Sequence, residues 1–451
     1  MLKGKTVVLG ITGSIAAYKM ANVASSLAKM HCDVQVIMTK NATQFITPLT
    51  FETLCNSRCM VDTFDRNFQY SVEHVALAKR ADLVLVAPAT ANIIAKMAHG
   101  LADDMLSTTV LACHCPKLVA PAMNTNMLNN PITRDNLATL QRYGFEIIQP
   151  AVGMLACKDV GAGKLPDEQL LVAHILQHIL RPKTMAGKKV LITAGPTCEP
   201  LDPVRYMTNH SSGKMGYALA KECSLRGAQV TLVTGKTALQ PWPFVQTVEI
   251  QTAQQMFEEV TSRAPQMDII IKAAAVADYR PKAVADQKLK KSDGELSLEL
   301  ERTQDILKYL GEHKPDGQFL CGFSMETENL LENSRAKLAK KNADMMVANN
   351  LKEQGAGFAG DTNIVTIITG DSVKALPLMT KEETAGQIID EILTCDWSSD
   401  VCSSDLRTTD GRRCWKRYTS PRRIPCISWE MWSTGDHMGS KSCRKSCVHP
   451  T

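Results

Sequence analysis

The sequence predicts an α/β protein made of two successive doubly wound domains, each with its own mostly parallel sheet. Apolar strands alternate with helical segments over the first 180 residues, and the same alternation starts again near residue 188. The strand Leu83–Ala87 is continuously apolar, which is typical of a parallel strand covered by helices on both faces. A chain of 451 residues is also too long for one ordinary core.

The first domain is predicted to span residues 1–181. It opens with a strand, Lys5–Gly10, which is followed by a glycine-containing turn and a helical segment from Ile15 to Met30. Thr47 and Pro48 then form an N-cap and a first helical position. The other predicted strands are Val34–Met38, Leu83–Ala87, Leu118–Ala120 and Phe145–Ile148.

Residues 182–187 are interpreted as a linker, and residues 188–394 as the second domain. The elements predicted in the second domain are the strands Lys189–Thr193, Gln229–Thr234 and Met267–Ala273 and the helix Gly213–Arg226. No sequence repeat relates the two domains.

Residues 395–451 do not fit either domain. They contain four of the five tryptophans and six of the 15 cysteines, without helical or strand periodicity. Their opening repeats Ser-Ser-Asp and resembles a translated sequencing adapter. Our hypothesis is that this tail is an assembly artefact and that the native protein ends soon after Leu393. The alternative, a small zinc module, is disfavoured because the cysteine spacings fit no tetrahedral pattern.

Composition excludes several functional classes. The net charge is +5, and the tail alone carries ten basic and six acidic residues, so the remainder has no electrostatic case for binding nucleic acid. No signal peptide and no apolar stretch of roughly 18 residues is present, which predicts no membrane association and a cytoplasmic location. The cysteines of the two domains are interpreted mostly as small buried apolar residues in a reducing compartment.

The first candidate site lies where the strands of the first sheet end. Thr12, Gly13 and Ser14 follow the first strand and open a helix, an arrangement that can hold a phosphate, although such a turn also occurs for packing alone. Pro88-Ala89-Thr90-Ala91-Asn92 and Pro121-Ala122-Met123-Asn124 follow two further strands, at the edge where such sheets bind ligands. Cys157 occupies a loop between Gly153 and Gly161.

Together these motifs resemble the flavin-dependent cysteine decarboxylases. Two positions depart from the family pattern: Thr90 stands for a serine, which keeps the hydroxyl, and Leu128 stands for a tryptophan, which removes an aromatic wall of the substrate pocket. The resemblance implies a flavodoxin-like or Rossmann-like flavoprotein domain that binds FMN. Oxidation of the substrate thiol to a thioaldehyde then lets the neighbouring carboxylate leave as carbon dioxide, and the enethiol that forms is reduced and protonated.

The same resemblance implies roles for individual residues. His74 would be the active-site base or positioning group, Asn124 would hold the substrate carboxylate, and Cys157 would donate the final proton. The alternatives are a surface histidine at a helix start, an asparagine that satisfies its own turn, and a buried filler cysteine. The residues implied to contact FMN are Thr12, Gly13, Ser14 and Thr39 at the phosphate and Pro88, Ala89, Thr90, Ala91 and Asn92 at the ring or ribityl chain.

The second candidate site follows the first strand of the second domain. Glu199-Pro200-Leu201-Asp202-Pro203-Val204-Arg205 cannot be helical because of its prolines. Asn209-His210-Ser211-Ser212-Gly213-Lys214 opens a helix and could bind an anion, or Ser211 or Ser212 could simply cap the helix. Small residues at 273–275 end a later strand and would allow close approach by a ligand.

These segments resemble phosphopantothenate–cysteine ligases, in the same order and spacing. The resemblance implies a Rossmann-like α/β ligase domain that uses CTP and Mg²⁺ to join cysteine to 4′-phosphopantothenate through an acyl-cytidylate. Asp278 would contact ribose or Mg²⁺, and Lys337 and Lys341 share one helix face. The residues implied to bind substrate or CTP are Asn209, Lys214, Ala273, Ala274, Ala275, Asp278, Lys288, Gln304, Asp305, Ile306, Leu307, Phe323, Lys337 and Lys341.

The two resemblances cover residues 3–393 and together imply a bifunctional enzyme of coenzyme A biosynthesis that works on small molecules. The family's flavin sites form at subunit contacts, which implies a homo-oligomer. Two other functions are alternatives to this enzyme. One is a catalytically silent flavoprotein that regulates a partner protein, against which His74, Asn124 and Cys157 argue. The other is a flavin prenyltransferase, which would lack both the cysteine loop and the ligase half.

Overall fold

A computed structural model of the chain describes residues 1–64, 73–155, 158–290, 297–326, 330–350 and 360–401. Within this part of the chain, the first sheet has six strands in the order β3-β2-β1-β4-β5-β6, which is the order of a Rossmann sheet. All of its strand pairs are parallel. Its strands are β1 (Thr6–Ile11), β2 (Asp33–Met38), β3 (Cys59–Met60), β4 (Leu83–Ala89), β5 (Lys117–Pro121) and β6 (Glu146–Ile147).

Helices cover both faces of this sheet, and β1 and β4 are buried along their whole length. The helices are α1 (Met20–Lys29), α2 (Pro48–Cys55), α3 (Glu73–Arg80), α4 (Ala91–Ala98), α5 (Met105–Ala112), α6 (Thr125–Asn129), α7 (Pro131–Arg142) and α8 (Glu168–Ile179). The single helix predicted from Ile15 to Met30 is wrong in one respect. Its first turn is a 3-10 helix, Ile15–Lys19, in which Ser14 accepts a hydrogen bond from the N–H of Ala16.

A hairpin of two antiparallel strands, β7 (Ala151–Met154) and β8 (Val160–Lys164), stands apart from the sheet. Val152, Met154 and Val160 expose two thirds or more of their side chains. The base of the hairpin is fixed to the segment after β5, because Met123 donates its N–H to the carbonyl of Gly163 over 3.0 Å. The end of β8 therefore lies beside that segment.

The second sheet repeats the strand order of the first. The strands of the second domain in chain order are β9 (Lys189–Ala194), β10 (Cys198–Pro200), β11 (Tyr206–Thr208), β12 (Gln229–Thr234), β13 (Gln246–Glu249), β14 (Ile269–Lys272), β15 (Tyr279–Pro281), β16 (Leu300–Arg302), β17 (Phe319–Glu326), β18 (Met345–Asn350), β19 (Thr362–Asn363), β20 (Val365–Thr369), β21 (Val373–Ala375) and β22 (Met379–Thr380). Three two-stranded ribbons, β10-β11, β15-β16 and β19-β22, stand outside the large sheet. The large sheet has the order β13-β12-β9-β14-β17-β18-β20-β21. Its first six members are parallel, and β20 and β21 extend it in antiparallel fashion.

The helices of this domain are α9 (Lys214–Leu225), α10 (Ala253–Arg263), α11 (Ile306–Glu312), α12 (Leu330–Lys340) and α13 (Lys381–Val401). The predicted strand Gln229–Thr234 agrees with β12, whereas the predicted Met267–Ala273 is shortened to β14. Among the described helices, none combines the length and apolar character that crossing a bilayer requires.

The segment 182–187 packs against the second core. Met185 is fully buried, and its N–H donates to the carbonyl of Arg226. Several contacts join α8 to the second domain. Gln177 donates to the carbonyl of Ser224 over 2.7 Å and accepts the indole N–H of Trp242 over 2.9 Å, and Phe244 packs edge-on against the ring of His174 at 4.8 Å. The predicted linker is thus a packed connection.

Candidate functional site

The first candidate site lies at the carboxyl edge of the first sheet, between β1 and β4. The strand order reverses at this point, and the loops after the two strands separate there. The hydroxyl of Thr12 joins them: it donates to the carbonyl of Pro88 over 2.6 Å and accepts the N–H of Thr90 over 3.1 Å. Thr12 is therefore buried and fixed, although a threonine here could have pointed into solvent.

A groove of about 990 Å³ opens above this contact. Six of the nine residues predicted to contact FMN line it: Thr12, Gly13, Thr39, Thr90, Ala91 and Asn92. The other three support the groove. Ser14 caps the 3-10 turn, and Pro88 and Ala89 form the buried end of β4, where Pro88 holds the Thr12 hydroxyl.

The lysines of the groove are matched by carboxylates. Lys96 contacts Asp103 at 2.7 Å and Asp104 at 2.9 Å, and Lys40 contacts Asp62 at 3.1 Å. Burial acts to lower the pKa of Lys96, but the two aspartates outweigh it and raise the pKa above its usual value. Burial acts to raise the pKa of Asp104, but hydrogen bonds from Ser107 and Lys96 hold it below its usual value. Because these carboxylates balance the lysines, the groove has hydroxyl and backbone N–H donors for a ligand but no excess of positive charge.

The groove has features that fit an FMN phosphate and ribityl chain. Gly13 lies so close to Asn41 that an added Cβ would come within 2.6 Å of the Asn41 Cβ, so only glycine lets the two loops lie side by side. Thr90 is the N-cap of α4, and its hydroxyl accepts the N–H of Ile93. The residues present therefore fit the group that the sequence motifs imply.

Glycines of the hairpin let its second strand, β8, pack against the segment that carries Asn124. An added Cβ on Gly163 would lie 2.1 Å from the carbonyl oxygen of Met123, and one on Gly161 would lie 2.4 Å from the hydroxyl of Thr125. Thr125 also donates to the carbonyl of Ala162 over 2.8 Å. The hairpin can therefore pack against the 123–125 segment only because these positions lack side chains.

The three predicted catalytic residues differ in what the structure says of them. Cys157 lies outside the described residues, although its neighbours Leu155 and Lys158 are bonded to each other through their backbones. Asn124 caps α6, and its side-chain oxygen accepts the N–H of Asn126 over 2.8 Å, which confirms the turn contact considered as an alternative. A substrate carboxylate would have to use its amide NH₂ group. His74 lies half-buried in the first turn of α3, outside the lining of the groove.

The second candidate site occupies the same topological position in the second sheet, between β9 and β14. Here too threonine hydroxyls join the two loops. Thr193 accepts the N–H of Ala274 over 3.1 Å, and Thr197 accepts the N–H of Ala277 over 3.0 Å. Asn209 donates from its side chain to the carbonyl of Ala275 over 3.2 Å, which holds the segment before α9 against this edge.

A cavity of about 470 Å³ adjoins these loops. The predicted residues that line it are Asn209, Lys214, Ala273, Ala274, Ala275, Asp278 and Phe323. The N-cap of α9 is Gly213 with φ +78°, a residue that has no side chain with which to cap the helix. Ser211, considered as a cap, accepts the N–H of Gly213 over 3.4 Å. The left-handed turn at Gly213 brings its Cα close to Gly195, where an added Cβ would lie 3.3 Å away.

Two lysines bring positive charge to this cavity. Lys214 follows the Ser-Gly turn and contacts Asp361 at 2.7 Å, and Lys381, at the start of α13, donates to the carbonyl of Gly360 over 2.6 Å. Burial and the nearby charge of Lys214 lower the pKa of Lys381. Lys381, Asn349 and Asn363 also line the cavity and were missed in the sequence, because each lies in a segment without a recognisable motif.

The predicted turn 304–307 contributes less than expected. Ile306 and Leu307 are buried in the second core, so their side chains cannot touch a nucleotide and only their backbone could. Asp305 caps α11 and forms an ion pair with Lys341, whose N–H donates to the carbonyl of Lys337 over 2.9 Å. Gln304 is exposed. Helix α12 ends at Lys340, so Lys341 is the first residue after the helix that the spacing predicted to contain it.

Lys272 forms part of the same group at the end of β14 and was also missed. Burial lowers its pKa, while the charges of Asp305 and Asp278 act in the opposite direction. Asp305, Lys341 and Lys272 thus make a mixed-charge cluster at the end of β14, next to Ala273 of the cavity lining. In the described part of the chain, none of these three residues belongs to the lining of the cavity.

Lys288 is exposed and does not line the cavity. Its neighbour Leu289 donates its N–H to Asp202 over 3.1 Å and accepts a hydrogen bond from Arg205 through its carbonyl, so this strap is held by the proline-rich motif. Burial acts to raise the pKa of Asp202, but hydrogen bonds from Val204 and Arg205 outweigh it and keep the carboxylate ionised. The motif therefore shapes a loop instead of touching the cavity.

Asp278 supplies one exposed carboxylate at the cavity. Within the described residues, no group of three or more His, Cys, Asp or Glu side chains could hold a metal ion. One carboxylate is nevertheless the donor set expected where Mg²⁺ is held mainly by the phosphates of a nucleotide.

Comparison with known proteins matches both halves. The Flavoprotein family matches residues 1–180, and the family described as DNA/pantothenate metabolism flavoprotein C-terminal domain matches residues 185–395. The relative from Bacillus subtilis (strain 168) named "Coenzyme A biosynthesis bifunctional protein CoaBC" is 46% identical over 396 residues, 87% of this chain and 97% of that protein.

Proteins of the same name from Vibrio vulnificus (strain CMCP6) and Escherichia coli (strain K12) are 44% and 40% identical, over 87% of this chain and 98% of each relative. The matches run through both sheets, both candidate sites and the connection between them. The chain belongs to the family of bifunctional coenzyme A biosynthesis proteins, with a flavoprotein decarboxylase domain followed by a ligase domain.

Proposed function

We propose that the chain makes 4′-phosphopantetheine in two successive reactions. The second domain joins cysteine to 4′-phosphopantothenate with CTP, and the first domain decarboxylates the 4′-phosphopantothenoylcysteine that results. The observation that carries this proposal is the pair of cavities at the same switch point of two sheets. The first has the hydroxyls of Thr12, Thr39 and Thr90 beside two lysines that pair with aspartates, and the second has Lys214 and Lys381 near each other.

For the first domain we propose that Thr12, Gly13, Ser14 and Thr39 surround the phosphate of FMN, and that residues 88–92 lie against its ring or ribityl chain. Bound FMN supplies a two-electron oxidation of the substrate thiol and the return of those electrons after carbon dioxide has left. His74 would accept or position the thiol proton, Asn124 would donate from its amide to the substrate carboxylate, and Cys157 would protonate the enethiol carbon.

For the second domain we propose that Lys214, with Lys381 beside it, stabilises the charge of the CTP phosphates, and that Asp278 binds ribose or Mg²⁺. Asn209, held at the carbonyl of Ala275, would orient the acyl group when the cysteine amine displaces CMP. Phe323 would flank the base. Lys272, Lys337 and Lys341 would act at the outer phosphates, where Lys341 would exchange its ion pair with Asp305 for the nucleotide.

We also propose that the domains are 1–181 and 188–394 with residues 182–187 as their connection, that residues 395–451 belong to neither, and that the enzyme is a cytoplasmic homo-oligomer. An open groove that His74 does not line supports a flavin site completed by a second copy.

The experiment is to incubate the purified full-length chain, loaded with FMN, with 4′-phosphopantothenate, cysteine, CTP and Mg²⁺. Mass analysis should find 4′-phosphopantetheine, carbon dioxide, CMP and pyrophosphate. Adding a chelator should stop CMP formation yet leave the decarboxylation of supplied 4′-phosphopantothenoylcysteine intact. A chain that bound FMN but released no carbon dioxide would instead be the silent regulatory flavoprotein.

The variant Cys157→Ala tests the proton donor. Carbon dioxide should still be released, but little 4′-phosphopantetheine should form, because the enethiol carbon would lack its proton source. The variant Cys198→Ala, which alters a half-buried cysteine of the other domain, is the control and should give normal yields. A normal yield of 4′-phosphopantetheine from Cys157→Ala would remove Cys157 from this role.

A further inference from the structure

Two neighbouring cavities of the second domain share Lys214 and Lys381. The inner cavity is the one of about 470 Å³ at the carboxyl edge of the large sheet, and the outer cavity, of about 870 Å³, is lined partly by the first turns of α9 and α13. Of the residues that the structure describes, Asp361 lines the outer cavity and not the inner one. Its carboxylate contacts the ammonium of Lys214 at 2.7 Å. A lysine of the inner cavity is thus paired with a carboxylate that lies outside that cavity.

The backbone of Asp361 is held in place independently of this ion pair. It directly precedes the ribbon β19-β22, in which Thr362 pairs with Thr380, and its carbonyl accepts the N–H of Lys381 over 2.9 Å. Asn363 of the same ribbon is 2% exposed, so the ribbon is packed against the domain. The side chain of Asp361, in contrast, is 87% exposed. The ion pair can therefore open and close while the ribbon stays folded.

The exposure of Asp361 makes this ion pair exchangeable. Water solvates both charges of an exposed pair, so the pair is weak. A phosphate group forms stronger charge-assisted hydrogen bonds with a lysine and can take the place of the carboxylate. The hydrogen bond from Lys214 lowers the pKa of Asp361, so the carboxylate stays ionised near neutral pH and remains a competitor for the lysine.

We propose that Asp361 is the counter-ion that Lys214 exchanges for a phosphate of the nucleotide, and that Asp361 thereby sets how tightly the inner cavity holds CTP and CMP. The inference rests on the proposed function, in which CTP occupies the inner cavity. The triphosphate of CTP carries several negative charges and draws Lys214 away from Asp361. After pyrophosphate has left and the amide has formed, CMP retains a single phosphate, and Asp361 competes with it for Lys214. Asp361 is thus a positioning residue that acts through Lys214 and favours the release of CMP.

The variant Asp361→Asn removes the competing charge and keeps the size of the side chain. The KM for CTP and the inhibition constant for CMP should both fall about two- to fivefold, the range expected for an exposed ion pair. Structural damage to the site would raise both constants, so a fall separates the two explanations. Asp361→Glu keeps the charge and should restore both constants. Equilibrium dialysis of the full-length protein with CMP makes the same comparison without turnover.

Glu382→Gln is the matched control in the outer cavity. Glu382 contacts Lys221 at 2.7 Å, the same distance as in the pair of Asp361, but Lys221 is not part of the lining that the described residues give the inner cavity. Both constants should therefore equal those of the unaltered chain. In a chain that carries Lys214→Gln, adding Asp361→Asn should change neither constant further, because the lysine through which Asp361 acts is absent.

Three results would each overturn the proposal. They are unchanged or raised constants in Asp361→Asn, an equal fall of both constants in Glu382→Gln, and a further fall when Asp361→Asn is added to Lys214→Gln. These results leave the proposed function standing. The ligase half of that function fails instead if the unaltered chain forms no CMP from CTP, 4′-phosphopantothenate and cysteine, which is measured first.

Discussion

The two sheets share one strand order but present different chemistry at the same topological position. In each, the loops after the first and fourth strands in chain order are joined by threonine hydroxyls, Thr12 in one sheet and Thr193 and Thr197 in the other. The groove of the first sheet has its lysines matched by aspartates. The cavity of the second brings Lys214, which pairs with Asp361, close enough to Lys381 for the charge of Lys214 to lower the pKa of Lys381.

This difference fits the ligands proposed for the two sites. A resident cofactor with one phosphate can be held by backbone and hydroxyl donors, which need no excess charge. A triphosphate that is cleaved during turnover gathers negative charge, so it requires cations that stay close as the charge develops. Under the proposed function, the common scaffold sets the position of both sites, and the few residues after each strand decide which ligand each site takes.

Gly163→Ala should produce the largest effect. The new Cβ would lie 2.1 Å from the carbonyl oxygen of Met123, at a φ of +130° that residues with side chains rarely adopt. The hairpin must then move away from Asn124. A misplacement of about 1 Å at a reacting group lowers the rate of the chemical step on the order of 100-fold, so we expect decarboxylation to slow by about that factor. Release of carbon dioxide from supplied 4′-phosphopantothenoylcysteine is the measurement, and CMP formation should be unchanged.

Gly153→Ala is the matched control in the same hairpin. An added Cβ there is 3.6 Å from the nearest atom, Cδ of Lys164, so it meets no obstacle. If Gly163→Ala and Gly153→Ala released carbon dioxide at the same rate, the position of the hairpin would not matter for the first site. The first site would then not depend on the contact between the hairpin and the segment of Asn124.

Lys381→Gln should have a smaller effect, confined to the other domain. Removing one of two adjacent cations should lower kcat/KM for CTP about tenfold, equivalent to ~1.4 kcal/mol, and Lys381→Arg should restore most of it. Because burial and Lys214 lower the pKa of Lys381, its charge is lost at a lower pH than for a surface lysine, and CTP affinity should fall as the pH rises through that value.

Lys374→Gln is the control for this lysine. Lys374 lies on β21, contacts Glu391 at 3.1 Å and does not line the cavity. An unchanged KM for CTP in Lys381→Gln would show that the second site does not depend on paired cations, and the distinction drawn between the two sites would fail.

Much of this arrangement could be predicted from the sequence, for a physical reason. Buried parallel strands such as β4 are continuously apolar, and the glycine, proline and asparagine residues after them cannot continue a strand or helix, so both signals are local. Thr12, Thr90 and Lys214 were found in this way. Their contacts are long-range: Thr12 binds Pro88, and Lys214 binds Asp361.

Other residues could not be found because their importance depends only on folding. Lys381 begins a helix and Lys272 ends a strand, and neither element carries a sequence motif. Folding nevertheless buries both lysines at the carboxyl edge of the sheet, and this burial lowers the pKa of each. Conversely, Ile306 and Leu307 follow a motif but face the core. Sequence spacing identifies the loop that reaches a site and does not identify which of its side chains turns inward.

The smallest expected effect concerns the contact between the two domains. Glu146 accepts hydrogen bonds from His174 at 2.6 Å and His178 at 2.7 Å, and His174 packs on Phe244 of the second domain. The hydrogen bonds from the two histidines lower the pKa of Glu146 from its ordinary 4.5 to about 2. A carboxylate with a lowered pKa stabilises the fold fully above pH 4.5 and loses this contribution as the pH falls towards 2.

Glu146→Gln should therefore lower the free energy of unfolding by only about 1 kcal/mol near neutral pH, because the side chain is 39% exposed and screened by water. The difference from the unaltered chain should vanish as the pH approaches 2, and both activities per folded molecule should persist. Glu312→Gln, which breaks an exposed pair with Lys308, should cost about 0.3–0.5 kcal/mol and serves as the control. Loss of either activity in Glu146→Gln would mean that the two sites communicate through this contact, and the two halves could no longer be compared as independent solutions on one scaffold.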